Sequence, residues 1–288
     1  MPRARLPNSM DTLDYFAEAP LLNDGTLILS FSGWMDGGDA STGTVDRLIS
    51  LLGAEPFAEI DPDPFYIFNF PGPMEIASLF RPEICIEDGI VQSVEMPRNM
   101  FYVAEDQNLI LFKGREPNLN WRKFGSALFQ LANECGVKRV MFVGSFGGTV
   151  PHTREPRMFV TCTTEELHSE LKGVGLRRTN YEGPGSFMTW LTLQAAAVEI
   201  EMVSLVAEIP GYLHGPNPYC LEAITRRLAR ILKLSLDLDE LRAATNEWEV
   251  EVTAMVEETP EMVDKIREME DDYDRELVEL EELQQPDE

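Results

Sequence analysis

Four glycine-rich loops, each following a predicted strand (weakly written, at residues 177–179, for the third), constrain this chain more than any other feature. They are Ser32-Gly-Trp-Met-Asp-Gly-Gly-Asp39, Gly144-Ser-Phe-Gly-Gly148, Asn180-Tyr-Glu-Gly-Pro-Gly185 and Pro210-Gly-Tyr-Leu-His-Gly-Pro-Asn217. The run before the first loop, residues 26–31, reads as a buried strand. After the loop Val45, Leu48, Ile49 and Leu52 recur at helical spacing until Gly53 stops them. Residues 140–143, 158–161 and 203–208 repeat the strand signal. Trp121, Phe124, Leu128, Leu131 and Cys135 step by three and four, as a helix capped near Asn118 or Asn120 would; residues 164–172 read as another, and Leu221, Ile224, Leu228 and Ile231 as one more. Strands alternating with helices predict an α/β fold with a mostly parallel sheet.

Between residues 65 and 113 the character changes. Short β-rich pieces (65–68, 84–86, 90–94, 101–104, 109–112) are separated by turn residues, with 87–89 and 105–108 reading as hairpin turns. This part is expected to form an antiparallel extension of the sheet. The segment 187–200 is apolar nearly all round, which suits a deeply buried helix or one at a subunit interface.

The last fifty residues are different again. Leu238, Leu241, Trp248, Val252 and Met255 form one stripe. Thr259-Pro260 then reads as a cap followed by proline at the first helical position. Met262, Ile266, Met269, Tyr273, Leu277, Leu280 and Leu283 form a second stripe at near-heptad spacing. The expectation is a coiled-coil-like helical hairpin, apolar on one side and acidic on the other. The organisation read from the chain is therefore an irregular leader (1–24), an α/β core (25–236) and an acidic helical hairpin (237–288).

Charge excludes some functions. The 288 residues carry 24 Lys+Arg against 50 Asp+Glu, a formal net charge of -26. From residue 237 onward there are 21 acidic and 4 basic side chains, net -17. Such a surface repels phosphate backbones, so neither nucleic acid nor an anionic membrane is an expected partner. No apolar run approaches the ~18–20 residues of a spanning helix. The four cysteines are scattered and form no CxxC pair, which fits small buried side chains in a reducing, cytoplasmic setting.

In an open parallel sheet, loops leaving the carboxyl ends of strands converge on one edge, where such folds bind ligands. Trp34, Asp36, Phe146, Glu182 and His214 are therefore expected around one cleft, with Gly37, Gly38, Asp39, Ser145 and Asn217 completing it. Gly33 and Gly38 have the spacing of a phosphate loop, but Asp39-Ala40 follows where Lys-Ser/Thr is needed. A carboxylate there suits a helix N-terminus, so Asp36 or Asp39 is expected to cap the next helix. Neither Ser145 nor Ser186 is centred in G-x-S-x-G, and the three histidines show no metal-ligand spacing. No catalytic residue, metal or cofactor is expected.

Taken together, residues 29–40, 144–148, 181–187 and 209–218 resemble the proteasome assembly chaperone 2 family, and the similarity spans residues 27–232. The resemblance implies a three-layer α/β/α fold like that of purine nucleoside phosphorylases, and a role in protein assembly. The family's eukaryotic chaperones dock through a terminal hydrophobic-Tyr-X motif, whereas this chain ends Gln284-Gln-Pro-Asp-Glu288. The reading is thus a non-enzymatic, self-associating assembly or interaction factor. Its contact surface would be the helix 187–200 or the C-terminal hairpin, and a protein partner beyond itself is possible. The rival reading is a nucleoside-like ligand stacked on Trp34 and Phe146, with Asp36, Glu182 and His214 as hydrogen-bonding or acid–base groups, in an enzyme or metabolite sensor.

Overall fold

The structure is a computed structural model and describes residues 12–284. Eleven strands and eight α-helices follow in chain order. The first half comprises β1 (Leu13–Tyr15), β2 (Gly25–Ser32), α1 (Ala40–Leu52), β3 (Glu55–Ile60), α2 (Met74–Ser78), β4 (Glu83–Glu87), β5 (Ile90–Glu95), β6 (Met100–Ala104), β7 (Leu109–Arg115) and α3 (Trp121–Glu134). The second half comprises β8 (Val137–Gly148), β9 (Met158–Cys162), α4 (Glu165–Glu170), β10 (Arg177–Arg178), α5 (Phe187–Ala197), β11 (Glu201–Pro210), α6 (Pro218–Leu232), α7 (Asp239–Glu257) and α8 (Pro260–Gln284).

Nine strands make one sheet in the order β1-β3-β6-β7-β2-β8-β11-β9-β10. Its centre, β7-β2-β8-β11, is parallel. These strands read as unbroken apolar runs because both faces are covered. Ile28, Met141, Val143, Val203 and Leu205 point to the layer of α1 and α6. Leu27, Leu29, Phe31, Phe142 and Met202 point to the layer of α3 and α5. That alternation gives the three-layer α/β/α architecture.

The edges depart from the expectation in identifiable ways. Residues 65–68 are not a strand; β3 occupies this part of the sheet, its signal weakened by Glu55, Pro56 and Glu59. Leu13–Tyr15, within the expected leader, pairs antiparallel with β3. The antiparallel extension is present as β3-β6-β7, and β7 joins it to the parallel centre by lying antiparallel to β6 and parallel to β2. The hairpin β4-β5 does not join the sheet at all but stands as a separate two-stranded ribbon. Met1–Asp11, the start of the expected leader, lies outside the described residues.

The C-terminal helices form the expected hairpin. α7 packs on α6, and Val252, Val256 and Ile266 close a small cluster with Tyr212, Leu213 and Trp248. Met255 and Leu277, placed in the apolar stripes by sequence, are exposed; Leu280 and Leu283 lie outside the described side chains. The acidic side of α8 is not wholly solvated. Glu270, Asp274 and Glu276 pair with Arg154, Arg157 and Arg177 of the core. Among the described residues no helix is long and apolar enough to cross a membrane.

Candidate functional site

The first and second glycine loops are knitted together at the carboxyl edge of the sheet. Ser145 N donates to Met35 O at 2.8 Å, and its hydroxyl donates to Gly37 O at 2.7 Å. The Asp36 carboxylate accepts from Ser41 N (2.9 Å), Thr42 N (3.0 Å) and the Thr42 hydroxyl (2.7 Å). It therefore caps α1, as the sequence suggested for Asp36 or Asp39; Asp39 makes no side-chain cap bond. Burial raises the Asp36 carboxyl above its usual range, and the bonds from Thr42 and Ser41 offset part of that rise.

The fourth loop locks onto the first from the other side. Asn217 N donates to Gly38 O at 2.8 Å, and Asn217 Oδ1 accepts from Cys220 N at 2.9 Å to cap α6. Gly38 has φ +62°, and a Cβ there would lie 2.8 Å from that of Asn217, so both backbone conformation and contact require glycine.

Beside these loops lies a cavity of about 750 Å³. Trp34, Asp36, Gly37, Ser145 and Phe146 line it, as expected from sequence. Gly38, Asp39 and Asn217 stand behind the loops, shaping them without facing the cavity. Glu182 and His214 are exposed and outside it. The third loop contributes Thr179, Tyr181 and Pro184 instead of its carboxylate. The first three loops thus border the cavity, whereas the fourth contributes no lining residue, and the two side chains assigned acid–base work lie outside it.

Sequence reasoning confined to loops missed the floor of the cavity, which is the sheet itself. Ser204 on β11 stands beside Phe142 of β8 and Thr161 of β9; one rung further, Val206 stands beside Gly144 and Phe159. α5 packs on β11 and α3 and leaves this part of the sheet uncovered. The readable signal was the small Gly144 and polar Ser204 interrupting apolar, inward-facing positions. Among the described residues no histidine, lysine or arginine lines the cavity, and its one carboxylate already accepts three bonds from the start of α1. The arrangement can hold a molecule, but it offers no free base or nucleophile–base pair for proton transfer.

Comparison with known proteins bears on the whole fold. A proteasome-assembly chaperone homologue of Mycobacterium tuberculosis superposes with a TM-score of 0.73 at 27% identity, covering 84% of this chain and 99% of that one. A second M. tuberculosis protein, of unknown function, gives a TM-score of 0.81 at 22% identity, covering 98% of this chain and 95% of its own. PbaB, an archaeal proteasome activator from Pyrococcus furiosus, gives 0.63 at 21% identity over 86% of this chain and 100% of that one. No curated protein matches the sequence. The family model described as PAC2 family matches residues 30–256, the greater part of the chain, which therefore belongs to the PAC2 family.

Proposed function

We propose that this protein is a non-enzymatic assembly factor that works through protein–protein contact, beginning with self-association. One observation carries the reading: the ribbon β4-β5 presents an uncovered apolar face. Ile84, Ile86, Val91 and Val94 are each more than half exposed. They lie on one side of the ribbon, opposite Glu83, Cys85, Ser93 and Glu95. A lone two-stranded ribbon is marginally stable in water, so such a face needs a cover.

A second copy of the chain supplies one. The outer flank of α5 exposes Leu193, Ala196, Ala197 and Val198, and α5 carries no charged residue from Phe187 to Ala197. In a chain of net charge -26, an uncharged apolar flank is where an acid-rimmed ribbon can land without carboxylate repulsion. Consecutive residues of the core reach towards both elements: Arg115 Nη2 donates to Leu79 O at the end of α2, which precedes the ribbon, and Glu116 Oε1 accepts from Phe187 N at the start of α5. Relatives described as a proteasome-assembly chaperone homologue and a proteasome activator support an assembly role. Sedimentation velocity over a wide concentration range tests the reading. An oligomer that Leu193→Asp converts to monomer supports it; a wild-type monomer at every concentration overturns it.

A further inference from the structure

We infer that the cavity over β8, β11 and β9 is a binding site for an uncharged, mainly apolar ring compound bearing a single carbonyl, amide or hydroxyl group. The size is right: ligand sites span ~300–1,000 Å³, and this cavity measures about 750 Å³. Its walls are rings and aliphatic groups, with Phe159, Phe146 and Val206 on the sheet side, Met188 on α5 and Trp34 at the rim. Phe146 and Phe159 pack against each other with ring centroids 5.8 Å apart at 46°, a tilted pair that offers an aromatic wall for a further ring to lie against.

The polar groups define the ligand more sharply. Most hydroxyls on the lining are already used. Ser145 donates to Gly37 O, Thr192 to Met188 O, Tyr181 to Pro184 O, and Ser186 is engaged with Thr189. Thr161 and Thr179, both exposed, and Ser204 make no such bond among the described residues, and of the three only Ser204 is buried. It is only 7% exposed, faces the cavity, and its hydroxyl has no hydrogen-bond partner among the described residues. That oxygen opens onto the cavity rather than being sealed in the core, so a bound molecule that displaces water there must bring one complementary group to match it. Thr161, in register beside Ser204, stands next to that same point.

Charge removes the alternatives. Phosphates and carboxylates need a cation or a free helix N-terminus. Among the described residues the lining contains no cation, the start of α1 is already filled by Asp36, and that of α5 is capped by Ser186 and Glu116. An amine needs an unengaged carboxylate, and Asp36 is not one. A nucleoside carries far more donors and acceptors than Ser204 and Thr161 can satisfy, and each unmatched group would be desolvated. The site therefore selects a neutral, weakly polar ring.

The test uses the intact chain, with benzamide, toluene, benzoate, phenyl phosphate and adenosine as probes, followed by methyl resonances of Met188 and Val206. Benzamide is expected to shift both saturably, toluene more weakly, and the two anions and adenosine not at all. Ser204→Val should weaken benzamide about five-fold and leave toluene unchanged. Thr161→Trp, a substitution at an exposed strand position, should block both by filling the space beside Ser204. Equal binding of benzoate or adenosine, silence of all five probes in wild-type protein, or benzamide binding unchanged in Thr161→Trp would each overturn the assignment. Because the probes report on monomer and oligomer alike, the outcome is separable from that of the self-association test.

Discussion

Arg157 and Glu208 form a buried ion pair, Nη1 to Oε2 at 3.1 Å, where the core meets α8. Neither side chain is more than a tenth exposed. Glu208 also accepts from Thr149 N at 2.6 Å, and Gly148 makes room for it, since a Cβ there would fall 2.2 Å from Oε1. From the same guanidinium, Nη2 reaches Glu276 of α8 at 2.8 Å, while the group lies 4.6 Å from the centre of the Tyr273 ring. The acidic helix is thus held by a cation rooted in the core. Much of its surplus negative charge still faces water, but the side that docks is matched by Arg154, Arg157 and Arg177.

Removing that cation should be costly. Arg157→Met strands the Glu208 carboxylate in a buried site, where breaking a pair costs ~3–5 kcal/mol. Glu276→Gln removes a half-exposed partner and should cost ~1 kcal/mol or less. Urea denaturation of the two variants measures both. Limited proteolysis should in addition release α8 from Arg157→Met far sooner than from wild type. Equal midpoints for the two variants would mean that the buried pair does not anchor the helix.

His152 gives the same contact a pH dependence. It is buried, with Nδ1 2.7 Å from the Tyr212 hydroxyl and Nε2 3.2 Å from the Thr253 hydroxyl of α7. Burial lowers its pKa below the ordinary 6.5, and the nearby Glu270 of α8 opposes that only in part. A histidine held neutral in the folded state contributes stability above the unfolded pKa and loses it as pH falls through the folded value. Wild type should therefore lose melting temperature between pH 7.5 and 5.5 relative to His152→Gln. Parallel curves for the two proteins would exclude the histidine as the cause.

Asp36 makes a contrasting case, since its work is structural. Asp36→Ala deletes three bonds at the start of α1 and should cost ~1–2 kcal/mol. Asp36→Asn keeps an acceptor oxygen and, carrying no charge into a partly buried site, should lose less than half as much. Thermal melts of the two variants decide between a cap and a functional carboxylate, for which both changes would be near neutral in stability.

What could be read from the sequence followed local rules. The strand 26–31 and its helix were legible because apolar period, glycine stop and capping residues agreed along a continuous stretch. The loops were legible as an edge for the same reason. Glu182 and His214 were misplaced because a loop's position says nothing about which of its side chains turns inward. Ser204 and Thr161 were invisible because their meeting depends on β9 running antiparallel beside β11, a pairing of residues 43 positions apart. β3 escaped because Glu55-Pro56 at its start breaks the branched apolar pattern that marks strands.

The ribbon β4-β5 supplies the last prediction. Its register places Ile84 opposite Val94 and Ile86 opposite Val91, so one face is aliphatic along its length. If that face is covered by a second copy, its burial contributes on the order of 25 cal/mol per Å² of apolar surface, and a charge placed there opposes association rather than folding. Ile86→Lys combined with Val94→Lys should yield a monomer whose core melts within a few degrees of wild type. Chymotrypsin should then cut between residues 74 and 96 in the variant at all concentrations, and in wild type only when diluted. A ribbon equally resistant in both proteins would show that it stands by itself, and the apolar face would lose its claim to be an interface.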